Sequence, residues 1–239
     1  MSKQIRFIIV AAIIILIIVL LDVFGFSTIS YNLELMFVPV LALFYFFKKG
    51  AKSITLILFF LCYTVGELVS MFLYNPDENI YYYLCNISYI MAYFFLILYV
   101  VNSLNFKIIF KKYLFYFIVL LVLSVYILYF FKNLVEPINF ESQVELAVHI
   151  VEFLYNLSLV VLLSLSFLSY IQSSVRERLV LFLSCFLIAF SEFILIAYYF
   201  IDEDTPLGYV STVFFFFGVS LLYSHILIAP EEETNSLLV

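Results

Sequence analysis

The class of fold is decided by residues 53–74, SITLILFFLCYTVGELVSMFLY. A helix needs about 20 mostly apolar residues to cross the roughly 30 Å hydrocarbon layer of a membrane. This segment has that length and carries a single charged residue, Glu67. Lipid offers no partners to backbone polar groups, so an isolated spanning segment must be helical. Residues 53–74 therefore predict a transmembrane helix with a carboxyl group inside it.

The rest of the chain repeats this pattern. Of its 239 residues, 67% are hydrophobic and 12% are charged, and the mean hydropathy is +1.19. Soluble domains contain about 45–50% apolar and about 25% charged residues. We therefore predict an all-α integral membrane protein, a bundle of eight transmembrane helices. The eight apolar runs are 6–25, 31–47, 53–74, 80–102, 113–131, 144–171, 178–201 and 207–229.

The basic residues predict the orientation of the bundle. In an eight-helix topology Lys132 alone falls on one side. The other basic residues fall on the opposite side: Lys3, Arg6, Lys48, Lys49, Lys52, Lys107, Lys111, Lys112, Arg176 and Arg178. The positive-inside rule makes the second side cytoplasmic, which places both termini in the cytoplasm. The outer loops would then carry Asp77, Glu78, Glu136, Glu141, Asp202, Glu203 and Asp204.

The connections between the runs are too short for an extramembrane domain. We predict a single transmembrane domain over residues 1–230 and a short acidic cytoplasmic tail over 231–239. The first run is long for a signal peptide and lacks a cleavage site, so it is expected to remain as a helix. Pro39 lacks a backbone donor and should kink the second helix. The lysine bias points to a bacterial inner membrane or a plasma membrane.

Two carboxyl groups lie deep inside predicted spans. Glu67 follows Gly66 in the third run, and Glu192 follows Ser191 in the seventh. A charged group at the bilayer centre costs at least about 2.5–3.5 kcal/mol, so such residues usually mark a functional site. We therefore take Glu67 and Glu192 as candidate catalytic residues.

Three runs carry polar stripes at intervals of four, three and four residues, which place them on one helical face. In the sixth run the stripe is Glu145, His149, Glu152 and Asn156. Such stripes face a bundle interior or a wet cavity, although polar residues also simply join helices by hydrogen bonds. We predict a polar cavity lined by the third, fourth, sixth and seventh helices. Its candidate residues are Tyr63, Ser70, Asn86, Tyr89, His149, Glu152, Asn156 and Ser191.

A metal site is the weaker interpretation of the same stripe. The chain has two histidines, which excludes a zinc site of three histidines. His149 and Glu152 share a helical face and leave a carboxylate-rich site as an alternative. Cys62, Cys85 and Cys185 lack metal-binding spacing. We predict no metal and no other cofactor.

The layout resembles the YhhN-like family, which includes transmembrane lysoplasmalogenases. Residues 64–69, TVGELV, are similar to the family motif LLGDxxL, and residues 190–195, FSEFIL, are similar to its motif xSDsll. Residues 37–41, FVPVL, resemble its KPL segment. Both motif aspartates are glutamates here, and valine replaces the lysine at Val38. The chain is similar to a divergent member of the family.

The resemblance implies a membrane-embedded lipid hydrolase that cleaves the vinyl ether bond of a lysophospholipid. One buried carboxylic acid would donate a proton to the vinyl ether carbon, and an ionised partner would stabilise the cation and orient water. Glu67 and Glu192 would form this pair. The alternatives are a non-catalytic sensor or ligand-binding protein that uses the cavity, and a small-solute or proton-coupled transporter. The expected partners are the lipid bilayer and a lysophospholipid-like substrate or ligand; no nucleic acid is expected.

Overall fold

The computed structural model describes residues 3–48, 52–73, 79–135, 145–200 and 205–236, and the regular structure within these ranges is α-helical. The acidic loop residues Asp77, Glu78, Glu136, Glu141, Asp202, Glu203 and Asp204 lie outside the described residues. The helices are α1 (Lys3–Val23), α2 (Ser27–Leu35), α3 (Phe37–Phe47), α4 (Ile54–Phe72), α5 (Asn79–Val101), α6 (Phe106–Lys112), α7 (Leu114–Val135), α8 (Glu145–Ser173), α9 (Arg176–Phe200) and α10 (Thr205–Ser236).

Seven helical stretches among the described residues are long and apolar enough to cross a membrane. They are Ser27–Phe47, Ile54–Phe72, Ile80–Val101, Leu114–Leu134, Leu146–Ser173, Arg176–Tyr198 and Pro206–Ile228. A shorter apolar stretch, Ile9–Val23, lies in α1. The chain is therefore an α-helical integral membrane protein, as its composition predicted. The count of eight spans and their orientation remain predictions.

The second predicted span is interrupted at Met36. α2 ends at Leu35 and α3 begins at Phe37, with a turn at Met36 between them. Pro39 follows in the first turn of α3 and has no N–H with which to bond the carbonyl of Leu35. The break lies one helical turn before the proline, where a continuous helix would lose this hydrogen bond.

The chain divides into two compact units. Unit 1 consists of residues 1–37 and 173–239 and contains α1, α2, α9 and α10. Unit 2 consists of residues 38–172 and contains α4 to α7 with nearly all of α3 and α8. α10 continues through Ser236, so the backbone of the predicted acidic tail begins as part of this helix.

Unit 1 is held together along α10. The Ser184 hydroxyl on α9 donates to the carbonyl of Gly218 at 2.8 Å. Gly218 lies so close to Ile188 that an added Cβ would come within 2.9 Å of its backbone nitrogen. Helices approach this closely only where a small residue stands at the contact.

Carboxyl groups of the first two helices also bond to α10. The Thr212 hydroxyl donates to Glu34 Oε1 at 2.7 Å, and the Tyr209 hydroxyl donates to Asp22 Oδ2. These bonds join α1 and α2 to one face of α10, since Tyr209 and Thr212 are three residues apart.

Unit 2 contains an aromatic core between α4, α5 and α8. The Tyr93 ring is fully buried and makes edge contacts with Tyr63 and Tyr155. Hydroxyl pairs connect α8 to the neighbouring elements: Ser124 with Ser164 at 3.0 Å, and Ser103 with Ser169 at 3.0 Å. These contacts hold α8 against the neighbouring elements of unit 2.

Candidate functional site

The candidate site is a groove of about 340 Å³ between the C-terminal half of α7 and the N-terminal half of α8. Ligand pockets in proteins commonly measure about 300–1,000 Å³, so this groove can hold a small ligand or a segment of a lipid chain. Most of its wall is apolar. Its lining residues are Leu128, Phe131, Lys132, His149, Ile150, Glu152, Phe153, Leu154 and Asn156.

The polar residues of the groove lie in order along its length. Lys132 lies near the end of α7, and His149 lies near the start of α8. Glu152 and Asn156 follow His149 by three and seven residues, so they lie about 5 Å and about 10 Å further along the helix. The groove therefore has a basic end at Lys132 and His149 and apolar walls, with polar groups at two positions further along α8.

Glu152 is oriented by a neighbouring helix. The Tyr82 hydroxyl on α5 donates to Glu152 Oε1 at 2.5 Å. A carboxylate inside a membrane protein is costly without such a donor. The bond holds one carboxyl oxygen and restricts the rotamer of Glu152 at the groove wall.

Three predicted cavity residues come together elsewhere in unit 2. The rings of Tyr63 and Tyr89 have centroids 4.9 Å apart, and the Ser70 hydroxyl lies 3.4 Å from the Tyr89 hydroxyl. Gly66 lies directly against the Tyr89 ring, which an added Cβ would approach to 2.6 Å. These residues form a packed contact between α4 and α5 and are not among those that line the groove.

Asn86 bonds within its own helix. Its amide nitrogen donates to the carbonyl of Tyr82 at 2.9 Å, one turn earlier in α5. It shares the face of Tyr82 and Tyr89, as its spacing predicted, but it is not among the groove residues. The side-chain N–H is therefore satisfied within its own helix.

The two predicted catalytic carboxyl groups are both buried, each with 6% of its surface exposed. Glu67 belongs to unit 2 and Glu192 belongs to unit 1. The Ser191 hydroxyl donates to the carbonyl of Ile188 at 2.7 Å, and the Ser191 carbonyl accepts from Ser211 at 2.8 Å. Ser191 therefore packs α9 against α10, and the pairing of Glu67 with Glu192 remains a prediction.

The alternative of a metal site gains no support from the part of the chain that the structure describes. No group of three or more His, Cys, Asp or Glu side chains is placed there to hold an ion. The three cysteines are free thiols. His149 and Glu152 serve the groove wall instead.

Sequence reasoning missed the contribution of α7. Its groove residues are Leu128, Phe131 and Lys132, and α7 carries no polar stripe that would single it out. Lys132 was nevertheless a signal, because it is the one basic residue that the predicted topology places on the outer side. Lys132 is the exception to the sorting of the basic residues, and it is also the basic residue that lines the groove.

Comparisons of the chain with protein-family models, with curated proteins and with solved structures find no match. The resemblance to the YhhN-like family therefore rests only on the short motifs around Pro39, Glu67 and Glu192.

Proposed function

We propose that this protein binds a single-chain, lysophospholipid-like amphiphile from the bilayer in the groove between α7 and α8. The shape and chemistry of the groove carry this proposal. A chain can lie against Leu128, Ile150 and Phe153, while an anionic head group lies near Lys132. Ile150 and Phe153 are about half exposed, so the groove is accessible from the side of the helices. Lateral entry suits a ligand that is already dissolved in the membrane.

Binding is tested by native mass spectrometry of the purified protein with a lysophospholipid. Ile150→Trp places a large ring in the groove and should abolish retention of the lipid. Leu121→Trp is the matched control. Leu121 lies on α7, is 51% exposed like Ile150, and is not among the groove residues. Equal retention by both variants and the parent would refute the groove as the binding site.

A second candidate function is hydrolysis of a vinyl ether lysophospholipid by Glu67 and Glu192. It is favoured by the burial of both carboxyl groups in apolar helices, a setting in which an ionisable residue usually marks a functional site. One acid would add a proton to the vinyl ether carbon, and water would add to the carbon that bears oxygen and give up a proton to a carboxylate of the pair. The resulting hemiacetal would break down to a fatty aldehyde and a glycerophospho-alcohol.

Hydrolysis is tested by measuring aldehyde release from a lysoplasmalogen by the parent protein, Glu67→Gln and Glu192→Gln. Turnover by the parent that both substitutions abolish would support the carboxyl pair. Absence of turnover by a parent protein that still retains the lipid would leave binding without catalysis as the function.

We also propose eight spans with both termini in the cytoplasm of a bacterial inner membrane or plasma membrane. The helical length of α1, 21 residues, and the sorting of the basic residues support this topology. A fluorescent reporter that folds only in the cytoplasm, fused after Val239, should be bright. A phosphatase active only outside the cytoplasm, fused at the same point, should be inactive. The reverse pattern would exclude this orientation.

A further inference from the structure

α7 is the least covered of the spanning helices. Phe131 is the only buried side chain among its described residues, whereas 28–56% of the residues are buried in the apolar stretches of the other spans. The Ser124 hydroxyl pairs with that of Ser164 on α8, and Phe131 follows Ser124 by seven residues on the same side of the helix. One side of α7 therefore packs on α8, and the opposite side is exposed.

The exposed side of α7 carries a heptad pattern. Six residues follow one another at intervals of four, three, four, three and four, the a and d spacing of helices that pack in left-handed pairs. They are Phe115, Val119, Val122, Tyr126, Tyr129 and Asn133. All six are exposed, and together they are called the heptad face below. Ser124 and Phe131 occupy the f position of the same repeat, which is opposite a and d.

Three side chains of the heptad face end in a polar group. Tyr126 and Tyr129 are 65% and 64% exposed, and their hydroxyls form no hydrogen bond with the described residues. Tyr126 lies two residues, or about 3 Å, from the middle of the span Leu114–Leu134, so its hydroxyl is inside the hydrocarbon layer. Asn133 adds an amide near the end of the span. Lipid offers these groups no partner, and polar side chains in spans commonly bond across to another helix.

We infer that two copies of this chain pair in parallel through the heptad face of α7. All copies insert with the same topology, so equal residues of two copies lie at equal depth. In a parallel pair, each a or d residue therefore meets the same residue of the second copy. A tyrosine hydroxyl and a carboxamide each donate and accept hydrogen bonds, so Tyr126 and Asn133 are complementary to themselves. A second copy thus supplies the partners that lipid lacks, at the depth where they are needed.

The heptad face is large enough for such a pair. Aromatic side chains bury about 150–250 Å² each, so its three rings and three smaller side chains offer on the order of 600 Å² per copy. Two copies would bury about 1,200 Å² in total, the lower end for specific, stable interfaces. A shallow concavity on this face can receive a side chain of the second copy; it is lined by Ile118, Val119, Val122, Leu123 and Tyr126. None of the groove residues belongs to the heptad face, so the inference is independent of the proposed binding function.

The first test places one new cysteine on α7 of the full-length protein and oxidises it in the membrane. Val122→Cys should give a disulfide-linked dimer, because equal residues at the seam of a parallel pair lie within disulfide reach. Leu121→Cys is the matched control, since Leu121 is 51% exposed against 61% for Val122 and lies off the heptad face. It should give no more dimer than the parent, whose three native cysteines set the background. Both changes are at exposed positions and leave the packing within the chain intact.

The second test measures the contribution of a single hydroxyl group. Energy transfer between labelled copies in lipid vesicles, followed as the protein-to-lipid ratio falls, gives the dissociation constant of the pair. Tyr126→Phe keeps the ring and removes the hydroxyl, so it should raise this constant about three- to twentyfold, the effect of one hydrogen bond between membrane helices. Tyr116→Phe makes the same change on α7 away from the heptad face and should leave the constant unchanged.

Several results would overturn the inference. Equal cross-linking of Val122→Cys and Leu121→Cys would indicate random collision, and cross-linking of neither would mean that lipid alone covers the heptad face. Cross-linking of Val122→Cys to a different protein would assign the face to another partner. Equal effects of Tyr126→Phe and Tyr116→Phe on the dissociation constant would show that the Tyr126 hydroxyl does not reach a second copy.

Discussion

The contact between α9 and α10 at Gly218 predicts a large effect of a single methyl group. A Cβ added at Gly218 would lie 2.9 Å from the backbone nitrogen of Ile188 and 2.8 Å from its Cγ1. A flexible side chain could move away from the new methyl group, but the backbone of a packed helix cannot. Gly218→Ala should therefore push the two helices apart and weaken the hydrogen bond from Ser184 to the Gly218 carbonyl.

The size of the effect follows from a comparison within one helix. Replacing glycine by alanine inside a helix by itself stabilises it by about 0.5–1 kcal/mol. Overpacking a close contact costs about 1–3 kcal/mol. Gly208→Ala is the matched control, since Gly208 is also on α10 and its added Cβ would meet only Tyr198 at 3.8 Å. The helix-propensity terms largely cancel between the two variants, so their difference isolates the overpacking term.

The free energies of unfolding of the two variants should therefore differ by about 1–3 kcal/mol, or roughly 5- to 150-fold in the unfolding equilibrium constant. The measurement is reversible unfolding in mixed micelles with a rising fraction of denaturing detergent, followed by circular dichroism. If Gly218→Ala unfolds at the same detergent fraction as Gly208→Ala, or at a higher one, the close contact between α9 and α10 is wrong.

Three further predictions concern unit 2. Gly66→Ala should lower the free energy of unfolding because its Cβ would meet the Tyr89 ring at 2.6 Å. Adding Tyr89→Leu to this variant should recover most of the lost stability. If it recovers none, the Tyr89 ring is not the obstacle. Tyr82→Phe should lower the free energy of unfolding by about 1.5–3 kcal/mol because it leaves Glu152 without its donor. The double variant Tyr82→Phe with Glu152→Leu should lose less, and a double-mutant cycle in the same unfolding assay measures the difference. An additive cycle would argue against the bond between them. Lys132→Gln should weaken retention of an anionic amphiphile more than that of a zwitterionic one in native mass spectrometry; equal weakening would place the head group elsewhere.

The positions of the spanning helices could be predicted because lipid imposes length and composition directly. The predicted run 53–74 corresponds to Ile54–Phe72, and the predicted run 80–102 corresponds to Ile80–Val101. Prolines and charges mark the ends of these runs in the sequence. The kink predicted from Pro39 corresponds to the turn at Met36. The sequence shows which backbone donor Pro39 lacks but not at which residue the helix opens to accommodate the loss.

The site was only partly predictable because spacing assigns a face and does not assign a partner. His149, Glu152 and Asn156 do share one face of α8 and line one groove. The groove lies beside α7, a helix whose sequence is uniformly apolar through most of its length, so no pattern pointed to it. Asn86 has the same spacing signal as Asn156, yet its amide bonds to its own helix. Choosing between these two asparagines required the positions of their neighbours.

Hydroxyl groups supply the described hydrogen bonds to three carboxyl groups within or near the spans, and this choice has a physical reason. Glu34 accepts from Thr212, Asp22 from Tyr209 and Glu152 from Tyr82. A lysine or arginine partner would add a second charge that lipid solvates poorly, whereas a hydroxyl satisfies a carboxyl oxygen at little cost and suits both its ionised and its protonated form. Because tyrosine and serine are common in this chain, the partner of an intramembrane acid here cannot be found by searching for an opposite charge.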